Sequence, residues 1–220
     1  MTHVVAPSRE TTGEVAASSL PRSCVYAILS RSLSFPEVRS HSDIRRGFWM
    51  DSLTAASGRL PYPLRLPRAS AFSAPADFDT FQSEYIRVFQ VGGRAGPPCP
   101  LHSGHYTNDR LRTLETLVRY YGFFGVQTQQ GMMPDHVSVQ LEFMNFLAER
   151  EDEASTERDR RSCLLAQRDF LRDHLANWWP RLLRKAEAQQ PIAFYRAVVG
   201  VTSKFLQTDL SYLTTRAQSS

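Results

Sequence analysis

Cysteine is scarce in this chain of 220 residues: Cys24, Cys99 and Cys163 are odd in number and far apart. No Cys-x-x-Cys pair occurs, which argues against a zinc ribbon and against a disulfide framework and fits a reducing compartment. Long apolar runs are missing too. None approaches the roughly 18 residues that a bilayer crossing requires. The first twenty residues are polar, with Glu10 and Glu14, and lack the basic-then-apolar order of a secretory leader. Arg45-Arg46-Gly47-Phe48 has the look of a twin-arginine export motif, but it lies deep in the chain, before Trp49-Met50-Asp51-Ser52, which is no signal core. These absences predict a cytoplasmic protein without stable membrane insertion.

Strong charge of one sign is also lacking. The net charge is +4 and the pI about 9.1. The visible runs, Glu149–Glu153 and Glu157–Arg161, mix both signs and read as solvated helix faces rather than a phosphate-binding surface. Catalytic signatures are absent as well. There is no Gly-x-Ser-x-Gly turn, no His-Glu-x-x-His and no EF-hand loop. Gly92-Gly93-Arg94-Ala95-Gly96 has neither a Walker lysine nor a preceding strand. Two-residue alternation with hairpin turns is not sustained anywhere.

What is present is helical periodicity. With 42% hydrophobic and 22% charged residues the chain can bury a core. Val25, Ile28, Leu29 and Leu33 recur at helical spacing up to Pro36. A second helix is expected over 44–56, capped by Ser42 or Asp43. Pro61, Pro63, Pro67 and Pro75 predict a surface loop. Asp77 then caps a helix carrying the aromatic stripe Phe78, Phe81, Tyr85, Val88 and Phe89. A Gly/Pro-rich breaker follows over 92–100. The next helix is expected over 106–121, with Leu111, Leu114, Val118 and Tyr121 on its packed face. After a linker at 128–133, Asp135 is placed as the N-cap of a helix lined by Val137, Leu141, Met144 and Ala148. A helix over 161–179 should stop at Pro180, and Pro191 should open the last one. The expected fold is all-α: one helical bundle over 20–213 with a hinge near 126–135, between flexible tails at 1–19 and 214–220.

Two groups of residues suggest chemistry. Cys99, His102, His105, Asp135 and His136 have spacing that would permit metal ligation if the loop folded back. The aromatic stripe runs into the proline-rich loop. Such stripes are more often core than binding surface, yet an aromatic helix end beside an irregular loop suits capture of an apolar peptide. Asp135 is most simply a cap. With its carboxylate partly free it would face a cationic ligand, with His136 as a neighbouring donor.

Read together and in order, the motifs resemble the TorD/DmsD/NarJ family of molybdoenzyme maturation chaperones. Tyr85-Ile86-Arg87-Val88-Phe89 is similar to that family's aromatic-x-Arg-Leu-Phe segment, and Pro97–Ser103 to its Pro-x-x-Pro-x-x-Ser loop. Met133-Pro134-Asp135-His136 resembles its Pro-x-Asp-His hinge, without the usual glutamate and spacer. Phe170–Pro180 resembles its Phe-Leu-x-x-His-Leu-x-x-Trp-x-Pro. The subgroup serving dimethylsulfide, ethylbenzene, chlorate or selenate enzymes looks most similar. The resemblance implies a TorD-like helical fold and a chaperone rather than an enzyme, with no cofactor of its own. It implies binding of the twin-arginine signal peptide and apo catalytic subunit of a molybdenum-dependent oxidoreductase, with support of cofactor insertion and proofreading before export. Carried over by position, the peptide-binding residues would be Tyr85, Val88, Phe89, Pro100, Asp135 and His136, flanked by Leu101 and Ser103. Tyr85 and Val88 stand where the family often has Trp and Leu, so the resemblance does not fix groove shape or client. The chain would be a monomer or a homodimer swapped across the linker. A helical nucleic-acid binder, suggested by the pI, and a His-based metalloprotein stay open as alternatives.

Overall fold

The computed structural model describes residues 18–94, 96–128 and 131–219, which form nine α-helices and no strand. They are α1 (Leu20–Leu33), α2 (Val38–Arg45), α3 (Phe48–Ser57), α4 (Phe78–Tyr85), α5 (Arg110–Phe123), α6 (Val137–Glu153), α7 (Glu157–Phe170), α8 (Trp179–Gln189) and α9 (Ala193–Ser219). Short 3-10 turns lie at Ala69–Phe72 and Ser103–Tyr106, and π-helical turns extend α4 over Ile86–Gln90 and α7 over Leu171–Leu175. The all-α class expected from periodicity is the class observed.

The core runs along α1, α6, α7 and α9. Val25, Tyr26, Leu29 and Leu33 of α1 meet Leu141, Met144 and Leu147 of α6, and Phe170, Phe194, Val198 and Phe205 complete the interior. Each fully buried Leu or Phe contributes about 1.5–3 kcal/mol relative to exposure.

Inside this apolar mass lies one charged knot. Arg22 is 1% exposed; its Nε donates to Asp209 Oδ1 (2.6 Å) and its Nη2 to Asp209 Oδ2 (3.0 Å) and Gln167 Oε1 (2.6 Å). Nη1 reaches Glu151 Oε2 at 3.2 Å, and Arg216 closes on the other oxygen of Glu151. Tyr26 and Tyr62 donate their hydroxyls to Asp209, each at 2.6 Å. Burial works against the Arg22 charge, but Asp209 outweighs it and holds the guanidinium protonated well above its usual range. The knot ties α1, α6, α7 and α9 together and, through Tyr62, moors the proline stretch.

Several boundaries differ from the sequence reading. The helix expected over 44–56 is two helices, α2 and α3, because Gly47 takes a left-handed φ of 87° that breaks the run. Pro180 does not merely stop a helix. It sits in the first turn of α8, where a missing N–H costs nothing. The expected C-terminal tail is helix: α9 continues to Ser219, with Leu213 and Ala217 buried. The expected N-terminal tail lies outside the described residues as far as residue 17. Ser18 and Ser19 are fastened to α6, with Ser19 Oγ donating to Ala148 O (2.6 Å) and Ser18 Oγ to Asp152 Oδ1 (2.7 Å). On α5 the expected packed face is turned: Leu117 and Tyr121 are buried, whereas Leu111 and Val118 are 75% and 53% exposed. Part of the hinge, residues 129–130, also lies outside the description.

Candidate functional site

Three separate stretches, the end of α4, the Pro-rich loop and the entry to α6, are stitched into one junction by backbone hydrogen bonds. Cys99 N–H donates to Val88 O (3.0 Å), Val137 N–H to Leu101 O (2.8 Å) and Ser103 N–H to Asp135 O (2.9 Å). His102 and His136 face each other as an isolated antiparallel bridge. The eight residues singled out from the sequence therefore belong to one place in the fold.

Their exposure corrects the groove expectation. Tyr85, Val88, Phe89, Leu101 and Ser103 are 1%, 0%, 3%, 1% and 1% exposed, and Pro100 is buried with them. Tyr85 donates its hydroxyl to Leu33 O (3.0 Å), and Phe89 packs edge-on against Tyr195 at 5.5 Å. The aromatic stripe takes the core role that most such stripes take. Burial pushes the Tyr85 phenol upward.

Asp135 is neither the cap of α6 nor a free carboxylate. The cap is His136, whose Nδ1 accepts from Ser138 N–H (3.2 Å). Asp135 is fully buried and points to the loop: His102 Nδ1 donates to Oδ1 (2.9 Å) and Gly104 N–H to Oδ2 (3.2 Å). Burial raises its affinity for a proton, but the His102 hydrogen bond, the Gly104 N–H and Arg110 together outweigh that and hold the carboxyl below its usual range. Burial beside His102 pushes the His136 imidazole down to about 4, so it is neutral at physiological pH. The loop and turn approach so closely at Gly104 that a Cβ there would sit 2.7 Å from Arg110 Cγ and 2.8 Å from Asp135 Oδ2.

The metal alternative gains no geometric support. Among the described residues no group of three or more His, Cys, Asp or Glu side chains is arranged to hold an ion.

The apolar cavity beside the junction is one that sequence reasoning missed. About 230 Å³ opens between α5, the linker and α6, lined by the apolar Tyr121, Val126, Met132, Val139, Phe143 and Phe146 and by the polar Gln127 and Thr128. Glu142, exposed on α6, also lines it, and no Lys or Arg does. Its wall is joined to the junction, since Tyr121 donates its hydroxyl to Pro134 O (2.8 Å). Of its lining residues Met132 is 39% exposed, as is the next residue, Met133. The spacing of Val139, Phe143 and Phe146 was the available signal: a second apolar stripe on α6, offset from the one that faces the core.

The fold matches the crystal structure of a putative redox enzyme maturation protein from Archaeoglobus fulgidus with a TM-score of 0.54. At 16% identity, that match covers 86% of this chain and 93% of the other. Residues 60–184 match the nitrate reductase delta subunit family, and the chain belongs to that family. It is 27% identical over 201 residues to the perchlorate reductase assembly chaperone protein of Dechloromonas aromatica, covering 87% of this chain and 89% of the relative. It is 36% identical over 115 residues to the selenate reductase assembly chaperone protein of Thauera selenatis, covering 50% of this chain and 59% of the relative. The family and subgroup resemblance read from the motifs is borne out. No helix among the described residues is long and apolar enough to cross a membrane.

Proposed function

We propose that this protein is a cytoplasmic assembly chaperone, not an enzyme, for the catalytic subunit of a molybdenum-dependent oxidoreductase. It holds the subunit's twin-arginine signal peptide and apo form until the cofactor is inserted, and so delays export. The observation that carries the reading is the junction itself, where the three motif stretches meet beside an open apolar cavity with a carboxylate on its lining.

A twin-arginine peptide is basic, then apolar. Its apolar run suits the cavity of Tyr121, Met132, Val139 and Phe146, where each buried Å² contributes about 25 cal/mol before ordering costs. Exposed methionines re-pack around different side chains, which suits a peptide surface. Glu142 takes the cationic end; a charge-assisted bond of this kind contributes about 1.5–3 kcal/mol when partly shielded. In this reading the half-exposed edge of the junction, His102 and His136, meets the peptide. Tyr85, Val88, Phe89, Pro100, Leu101 and Ser103 hold the junction from behind, with Asp135. Ser103 Oγ and Gln140 Oε1 are buried without partners among the described residues.

The test is a pulldown of the catalytic subunit from native cytosol, followed by calorimetry with that subunit's signal peptide. Wild type should bind, Glu142→Lys should weaken binding about tenfold, and Val139→Asp by more. A wild-type chain that recovers no such subunit and binds no twin-arginine peptide ends the reading.

A further inference from the structure

A second surface carries the opposite charge. On α8, Arg181, Arg184 and Lys185 follow helical spacing and line one open pocket of about 570 Å³ together with His105 and Tyr106. Among the described residues no Asp or Glu lines it; Glu187, the acid of the same helix, is not among the lining residues. All three cations are exposed, and none forms an ion pair among the described residues. Lys185 Nζ lies 5.2 Å from the Tyr106 ring centre, and the Tyr106 hydroxyl is buried without a partner among the described residues.

We propose that this pocket is a docking site for an acidic, carboxylate-rich peptide segment of a partner protein. It is distinct from the cavity that would take a signal peptide. Three unpaired cations around one concavity repel a basic peptide, so the two surfaces take ligands of opposite charge. The arrangement suits spaced carboxylates better than a phosphate. A tight phosphate site has a buried cation or a nest of backbone N–H groups. Here the cations stand exposed along one helix face, from Arg181 to Lys185, a rise of about 6 Å. The inference goes beyond the chaperone reading and does not need it.

The experiment uses the full chain and a fluorescein-labelled decaglutamate peptide, read by anisotropy at low salt. Wild type should bind, and the double variant Arg181→Glu/Lys185→Glu should weaken binding at least tenfold. Arg65→Glu/Arg68→Glu changes net charge equally on another exposed stretch and should change affinity less than twofold. Should the first variant lose its helical circular dichroism, the neutral pair Arg181→Gln/Lys185→Gln is read instead, with a threefold or greater loss expected. Equal losses in both double variants, or no binding by wild type, would overturn the proposal. Displacement of the peptide by micromolar pyrophosphate would also overturn it, by making the occupant a phosphate.

Discussion

Replacing Arg22 by methionine should be among the most damaging single changes in this protein. Methionine fills most of the space but leaves Asp209 and Glu151, 0% and 2% exposed, without their shared cation. Breaking a buried ion pair from one side costs about 3–5 kcal/mol, because a charge is stranded away from water. For a chain of this size each kcal/mol lowers the melting temperature by about 2–4 °C, so the drop should be roughly 6–20 °C. Arg22→Lys should also be costly, since an ammonium cannot reproduce the forked contact to both oxygens of Asp209. Urea unfolding followed by circular dichroism gives the free energies, and an unchanged m-value would show that the same cooperative unit unfolds. A cycle with Asp209→Asn isolates the pair; the double variant should be less damaged than the sum of the singles by about 1–3 kcal/mol. An Arg22→Met loss below about 1 kcal/mol would refute the view that this knot is a charged network sealed from solvent.

Acidification should unlock the junction through His136. Its folded value of about 4 lies below the unfolded 6.5. The unfolded chain therefore binds the proton first, and the stability held above pH 6.5 is lost as pH falls toward 4. The loss at pH 5 is about 2 kcal/mol; His136→Asn keeps a capping side chain and should remove that part of the pH dependence in urea unfolding at pH 8 and 5. An identical slope in variant and wild type would contradict this. Tyr62→Phe deletes one of three donors to Asp209 and should cost about 1.5–3 kcal/mol, with faster proteolysis within 61–67; an unchanged cleavage pattern would count against the mooring. Gly104→Ala should push the loop off the Asp135 carboxylate and cost about 1–3 kcal/mol, visible as altered His102 and His136 imidazole resonances. Unchanged resonances would show that the loop accommodates a side chain.

Much of the fold was legible because apolar spacing on α1, α4, α6 and α9 is periodic and their starts are marked. Asp77 does cap α4, accepting from Thr80 N–H at 2.8 Å. The motif stretches do lie together, joined by the backbone bonds of Cys99 to Val88 and Val137 to Leu101. What misled was direction. An amphipathic stripe announces that it will be covered, not by what, so the α4 aromatics read equally well as wall or interior. Asp135 looked like a cap because a carboxylate before a helix usually is one. The Gly104 N–H and His102, thirty-odd residues away, claimed it instead. The knot around Arg22 was illegible, since its partners lie 129 to 187 positions distant and no local pattern records them. Leu111 and Val118 looked like core by spacing alone, yet α5 is turned so that they stay wet.

The two π-helical turns set where this chain counts its length. Val91 N–H bonds Ile86 O and Ala176 N–H bonds Leu171 O, both at 2.8 Å and both across five residues rather than four. Each turn thus holds one residue more than an α-helix would. That surplus lets the neighbours Val88 and Phe89 both point inward. Deleting a single residue between 86 and 90 would remove that surplus and let the turn rewind as α-helix, moving the residues left within it off their present faces by roughly 100°. A one-residue deletion there should therefore melt earlier than the intact chain.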